Sequence, residues 1–204
     1  RGVRNGPSPK WMQDRLRAVG LRPISALVDI TNYVMLDLGR PLHAYDPAKV
    51  TGDLVIRLAK PGEKYLALNG REYAFDEDML VIGDDHGPDD LAGVMGGERS
   101  GVSDETTDMF LEVAIFDPTS VAATGRKLGL QSDARYRFER GLDQTSPFWG
   151  AEVATRLVQE ICGGEASELV VTGAEPDWRR QIPLRHSRIA GLCGVCLLYT
   201  SDAA

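Results

Sequence analysis

The 204-residue chain is 43% hydrophobic and 26% charged, the balance of an ordinary globular protein long enough to bury a real core. Its net charge of −7 excludes the broad basic field that indiscriminate nucleic-acid binding needs, though not a local basic patch. No apolar run approaches the ~20 residues that cross a bilayer, and three cysteines are too few for a disulfide scaffold and suit a reducing cytosol.

In chain order, RGVRNGPSPKWM has no apolar middle like that of a signal peptide, and the absence of an initiator Met reads as a piece excised from a longer protein. Ser8 and Pro9 predict an N-cap and first helical residue, opening a helix to about Val19 that buries Trp11, Met12, Leu16 and Val19 and stops at Gly20. A second helix follows from Pro23 and Ser25 to Leu38, ended by Gly39 and Pro41. LVIRLA (54–59) alternates as a strand. KYLAL, Asn69-Gly70 and REYAF form a hairpin signal. MLVIG (79–83), a polar turn DDHGPDD and LAGVMGG (91–97) predict another strand pair, and MFLEVAIF (109–116) a further strand. Asp117-Pro118 opens a helix to about Lys127, and 151–164 is a helix closed by glycine. Helices at both ends with hairpins between predict an α+β fold, a mixed, largely antiparallel sheet with flanking helices. From about Pro176 the composition changes to a linker followed by a strand and helix of another domain, and residues 196–204 do not continue it. The expected division is 1–175, 176–195 and an atypical tail at 196–204.

Few residues offer chemistry. Glu112, in an apolar strand, needs a partner if buried; it is either half of a structural ion pair or a pocket group that reads a hydroxyl or amine. LAGVMGGERSG, with Gly93 and Gly96, is turn chemistry or a place where a ligand approaches the backbone, and it matches no nucleotide-binding motif. Arg135, Arg137 and Arg140 form either a phosphate-facing patch or a solvated face paired with Asp133, Glu139 or Asp143. His43 follows Gly-Arg-Pro-Leu, a turn that either leaves it on the surface or aims it over the helix carrying Thr31 and Asn32. Cys193 and Cys196 make one CxxC with no second pair, so no metal site is expected. The residues alone reach an α+β domain with a small polar pocket.

RPISALVDITNYVMLDLGRPLHAYD, LAGVMGGERSGV, LEVAIFDP and SDARYRFERGLD, in this order, closely resemble the B3/B4 domain of the bacterial phenylalanyl–tRNA synthetase β subunit over residues 7–175. IPLRHSRIAGLCGV resembles the opening of the B5 domain that follows it. The resemblance implies an editing site that hydrolyses tyrosine wrongly attached to phenylalanine tRNA, a task that falls to a second pocket because an apolar pocket rejects an added hydroxyl poorly. It places Thr31, Asn32 and His43 at the reactive end and Gly93 and Gly96 in the backbone wall. Glu112 would sit on the tyrosine hydroxyl, with Ser132 and Ala134 at the rim. GLDQ replaces the more usual GVDP after the arginine run. The same resemblance implies a cytoplasmic protein whose partners are tRNA(Phe) and a synthetase α subunit, in an α2β2 assembly with no membrane association. The domain itself needs no cofactor; ATP and Mg2+ serve synthesis in the intact enzyme. A non-catalytic module binding tRNA or the other subunit is the alternative, and a free-standing relative acting on other aminoacyl esters is a second.

Overall fold

The structure, a computed structural model, describes residues 1–174, 177 and 179–194. It divides into two compact units, Arg1–Gly173 and Ala174–Ala204. In the first unit α1 (Lys10–Ala18) and α2 (Ala26–Leu38) precede β1 (His43–Tyr45), a single 3-10 turn (Pro47–Lys49) and β2 (Val55–Leu58). Then come β3 (Lys64–Leu66), β4 (Glu72–Ala74), β5 (Leu80–Asp84), β6 (Gly87–Leu91), β7 (Met95–Gly96) and β8 (Phe110–Glu112). α3 (Pro118–Leu128), α4 (Asp133–Phe138) and α5 (Ser146–Cys162) close the unit. The second contains α6 (His186–Cys193), ended by Gly194 in the left-handed region. The strand expected before α6 is not formed: Ile182 and Leu184 are exposed, and a strand without a partner to pair with does not persist. The boundary expected at residue 176 and the tail at 196–204, with Cys196, lie outside the described residues.

The α+β class with largely antiparallel pairing is observed; the strands form three small sheets, β1-β8, β2-β5-β6-β7 and β3-β4, and every pairing among them is antiparallel. Two apolar clusters hold the first unit together. One packs Met12 and Leu16 of α1 with Leu27, Ile30 and Val34 of α2 and Ala154 and Val158 of α5. The other gathers Tyr45, Tyr65, Phe75, Val81, Leu91, Phe116, Val121 and Phe138 beneath the strands and α3–α4. Each large side chain so buried contributes roughly 1.5–3 kcal/mol before chain entropy is counted.

Several local expectations change for physical reasons. Ser8 does not cap α1: its hydroxyl donates to the buried Asp29 carboxylate, and Pro9 occupies the cap position. Trp11 and Val19 are exposed, since the buried residues of α1 are Met12 and Leu16. GPDDL is not part of a polar turn but strand β6, because Arg99 and Tyr45 answer Asp89 and Asp90 and let both carboxyls enter the interior. MFLEVAIF pairs only at 110–112, beyond which the Arg40 guanidinium takes the Ala114 carbonyl. Asp117 then caps α3 by accepting from the Ser120 N–H at 2.8 Å. The last long helix begins at Ser146, five residues earlier than its apolar pattern suggested.

Candidate functional site

The site forms where the β1–β8 ladder meets β6 and β7. Left-handed Gly39 ends α2, and the short turn through Pro41 delivers His43 into β1. The antiparallel register sets His43 opposite Glu112, so an imidazole and a carboxyl occupy neighbouring strands at one level. In the other sheet Asp90 pairs with Gly96. Gly96 joins the two sheets: a Cβ there would lie 2.4 Å from His43 Cε1, so the ring lies directly against the glycine backbone. Tyr45 crosses the ring edge-on at 4.5 Å and donates its hydroxyl to Asp90 Oδ2 at 3.1 Å.

These residues enclose a cavity of about 60 Å³. His43, Asp90 and Glu112 supply its polar wall, Gly93 and Gly96 its backbone wall, and Phe116, Ala134 and Phe138 its apolar side. His43 Nε2 is buried here with no hydrogen-bond partner among the described residues. Such a group is costly unless water or a ligand completes it. Burial first, and then the charge of Asp90, push the Glu112 carboxyl up to about 8, while the Arg40 cation and the Ala114 N–H pull the other way. Burial also raises Asp90, against the pull of His43 and the Tyr45 hydroxyl. Arg40 is itself 1% exposed; desolvation lowers it to about 10, with Glu112 opposing. Its guanidinium donates to the Ala114 carbonyl and to Ser146 Oγ at 3.3 Å, and its aliphatic stem packs against Gly150 of α5. At neutral pH the site therefore holds a buried cation and a neutral Glu112 carboxyl able both to donate and to accept.

A wider, open groove of about 520 Å³ lies elsewhere, between β3, the β5–β6 turn and Gly97–Arg99. Its central charges answer one another, since Arg99 pairs with Asp84 at 2.7 Å and Asp89 at 2.5 Å, so size alone does not make it the better candidate.

Residues 1–163 match the family model described as the B3/4 domain. The chain belongs to this family. Over 195 residues it is 57% identical to the phenylalanine–tRNA ligase β subunit of Paramagnetospirillum magneticum, which covers 96% of this chain and 24% of that protein. Over 198 residues it is 57% identical to the subunit of the same name from Rhodospirillum rubrum, covering 97% and 25%. The chain thus spans about a quarter of the length of these relatives. Among solved structures, an N-terminal fragment of the phenylalanyl-tRNA synthetase β subunit from Pyrococcus horikoshii is similar at 14% identity and a TM-score of 0.36, over 61% of this chain and 44% of that one.

Within this B3/4 domain, five of the anticipated residues (His43, Gly93, Gly96, Glu112 and Ala134) line one cavity. Ser132 lies beside it, donating to the Val94 carbonyl at 2.5 Å and capping α4 through the Arg135 N–H. Thr31 and Asn32 do not line it. The Thr31 hydroxyl donates to the Val28 carbonyl within α2, and the cavity wall is made by strands, their loops and α4 rather than by the polar run of α2. The arginine run is not a uniform phosphate-facing patch. Arg135 is buried over Gly125, bonded to the Leu130 carbonyl and 3.1 Å from Glu139; Arg137 pairs with Asp133 at 3.2 Å, and Arg140 with Glu139 at 2.8 Å. Sequence reasoning missed Arg40 and Asp90. Asp90 was hidden in an acidic stretch that reads as a turn, and no local signal distinguishes Arg40, whose burial depends on the missing side chain of Gly150 more than a hundred residues away.

Proposed function

We propose that this B3/4 domain hydrolyses the tyrosyl ester of tRNA(Phe), as the editing part of a phenylalanine–tRNA ligase β subunit. The observation that carries this reading is Glu112: a carboxyl kept neutral by burial, beside an apolar wall of Phe116, Phe138 and Ala134 and across the ladder from His43. An apolar wall accepts an aromatic ring, and a carboxyl able to donate and accept at its end distinguishes a phenol from a phenyl ring. Hydrolysis adds water to the ester carbonyl and breaks the bond to the ribose oxygen, which leaves with a proton. The ester is already activated, so positioning and oxyanion donors carry much of the task. The His43 nitrogen, without a hydrogen-bond partner among the described residues, is the group available to orient the water or the carbonyl. A volume of about 60 Å³ holds a water or two and is well below the roughly 300–1,000 Å³ of ordinary ligand pockets. The aromatic wall therefore opens as substrate enters.

In this reading tRNA(Phe) and the α subunit are the partners, the cytoplasm is the compartment, and ATP and Mg2+ belong to the synthetic site of the intact ligase. No helix among the described residues is long and apolar enough to cross a membrane. The test is hydrolysis of tyrosyl-tRNA(Phe) by the intact ligase, with phenylalanyl-tRNA(Phe) as control. Glu112→Ala is expected to cut the preference for the tyrosyl ester by about 10²-fold, the order that a hydroxyl-reading site provides over shape alone. A wild-type enzyme that spares the tyrosyl ester would instead mark the domain as a non-catalytic binding module.

A further inference from the structure

Charge is divided unevenly along the chain. Of its 23 Lys and Arg, six (Arg1, Arg4, Lys10, Arg15, Arg17 and Arg22) lie in the first 25 residues, which hold one of its 30 acidic residues, Asp14. All six cations are exposed, so the segment around α1 is locally basic on an acidic protein. Asp14 pairs with Lys10 at 2.5 Å and lies 3.4 Å from Arg17. Arg15 is left with no carboxylate partner among the described residues.

What holds Arg15 is aromatic. Its Nη1 donates to the Tyr33 hydroxyl at 2.6 Å, and its guanidinium carbon lies 5.4 Å from the Trp11 ring centroid and 5.8 Å from that of Tyr33. Trp11 and Tyr33 meet edge to face at 5.3 Å, yet Trp11 remains 44% exposed. A solvent-facing indole fixed beside an unneutralised arginine is a poor use of apolar area for folding alone. It is the combination that unpaired nucleic acid recognises, a flat face for a base and a fork of donors for a phosphate. Tyr33 is also on α2, the helix that leads through Gly39 and Pro41 to His43. Only about 8 Å of helix rise separates Tyr33 from the end of that helix, so the platform sits on the helix whose following turn delivers His43 to the cavity.

We propose that this face of α1 and α2 is an RNA-docking surface for the unpaired 3′ end of the RNA that bears the ester, with one base stacked on Trp11 and a phosphate held by Arg15. The proposal rests on the ester-hydrolysis reading of the cavity, and its test separates the two. The intact ligase and its Trp11→Ala, Trp11→Phe, Arg15→Ala and Arg15→Lys variants are assayed on tyrosyl-tRNA(Phe) and on 3′-O-tyrosyl-adenosine, an ester with almost no RNA. Affinity for a single-stranded RNA hexamer ending in CCA is measured in parallel across salt concentrations. Trp11→Ala and Arg15→Ala are each expected to raise KM for tyrosyl-tRNA about tenfold and to weaken hexamer binding similarly, with kcat on the small ester unchanged. Trp11→Phe and Arg15→Lys recover part of the loss, and Arg15→Ala lowers the slope of log affinity against log salt by about 0.7. Equal losses on both esters mean a structural role and overturn the proposal, as does weakened subunit association with unchanged hexamer affinity. If the wild type cleaves neither ester, the hydrolytic reading fails, and the hexamer affinities alone decide whether the docking surface stands.

Discussion

In the helical half of the molecule Asp29 is wholly buried and fully answered: one carboxylate oxygen accepts from the Ser8 hydroxyl and the other from the Ile24 N–H at 2.8 Å. Around the cavity in the strand-built half the buried polar groups are answered only in part. Among the described residues Arg40 Nε and His43 Nε2 have no hydrogen-bond partner, Asp90 accepts from the Tyr45 hydroxyl, and burial makes Glu112 keep its proton. Both halves pay for taking polar groups out of water, but only the first recovers that cost within the protein. A satisfied network fixes where α1's leading segment meets α2 and needs nothing further. An unsatisfied one around a cavity makes sense when something that enters completes it, and this contrast separates the architectural polar residues from the candidate site.

The largest expected effects would break the contrast if they fell in the wrong half. Asp29→Ala strands the Ser8 hydroxyl and the Ile24 N–H, both of which donate to its side chain. Urea unfolding should show a loss of about 3 kcal/mol, with tyrosyl-ester hydrolysis per folded molecule unchanged. Gly96→Ala should do the reverse. Its Cβ would occupy the space of the His43 ring, which must turn away, and hydrolysis should fall by about 10²-fold while the melting temperature moves by no more than a few degrees. An Asp29 variant with normal stability, or a Gly96 variant with normal hydrolysis, would leave the two halves indistinguishable in role.

The same contrast explains what could be read from the sequence. α2 was legible because its signals are local: Ser25 before it, apolar residues at helical spacing within it, Gly39 after it. The hairpin at Asn69-Gly70 and the Asp117 cap of α3 were legible for the same reason. The cavity was legible only through resemblance to a family, because its members come from four separated segments (41–43, 90–96, 112–116 and 134–138) and their meeting depends on strand register. Nothing in MFLEVAIF says that Glu112 stands opposite His43, and nothing in GPDDL says that its second aspartate turns inward. Thr31 and Asn32, which the family resemblance placed at the reactive end, do not line the cavity, and the Thr31 hydroxyl bonds within its own helix.

Glu112→Gln sharpens the comparison with a smaller, pH-dependent effect. In the unfolded chain the carboxyl has its ordinary value of 4.5, and in the folded site it is pushed up to about 8. Below pH 4.5 both states hold the proton and the residue contributes nothing to the pH dependence. Between the two values the unfolded chain releases a proton that the folded protein keeps, so wild-type stability falls as pH rises, and above 8 the folded site must carry a buried anion. Glutamine cannot titrate and removes this slope. Arg40 remains charged throughout the window and Asp90 is common to both proteins, so neither changes the sign of the difference. Relative to its value at pH 5, the stability of Glu112→Gln should gain about 1–3 kcal/mol on wild type by pH 8.5, less than the full ~1.4 kcal/mol per pKa unit because the carboxyl opens on the cavity. Urea unfolding at pH 5, 6.5 and 8.5 measures it. A gap that stays constant with pH would mean that Glu112 is already ionised in the folded protein, a group that only accepts hydrogen bonds, and the neutral carboxyl on which the reading of the pocket depends would be lost.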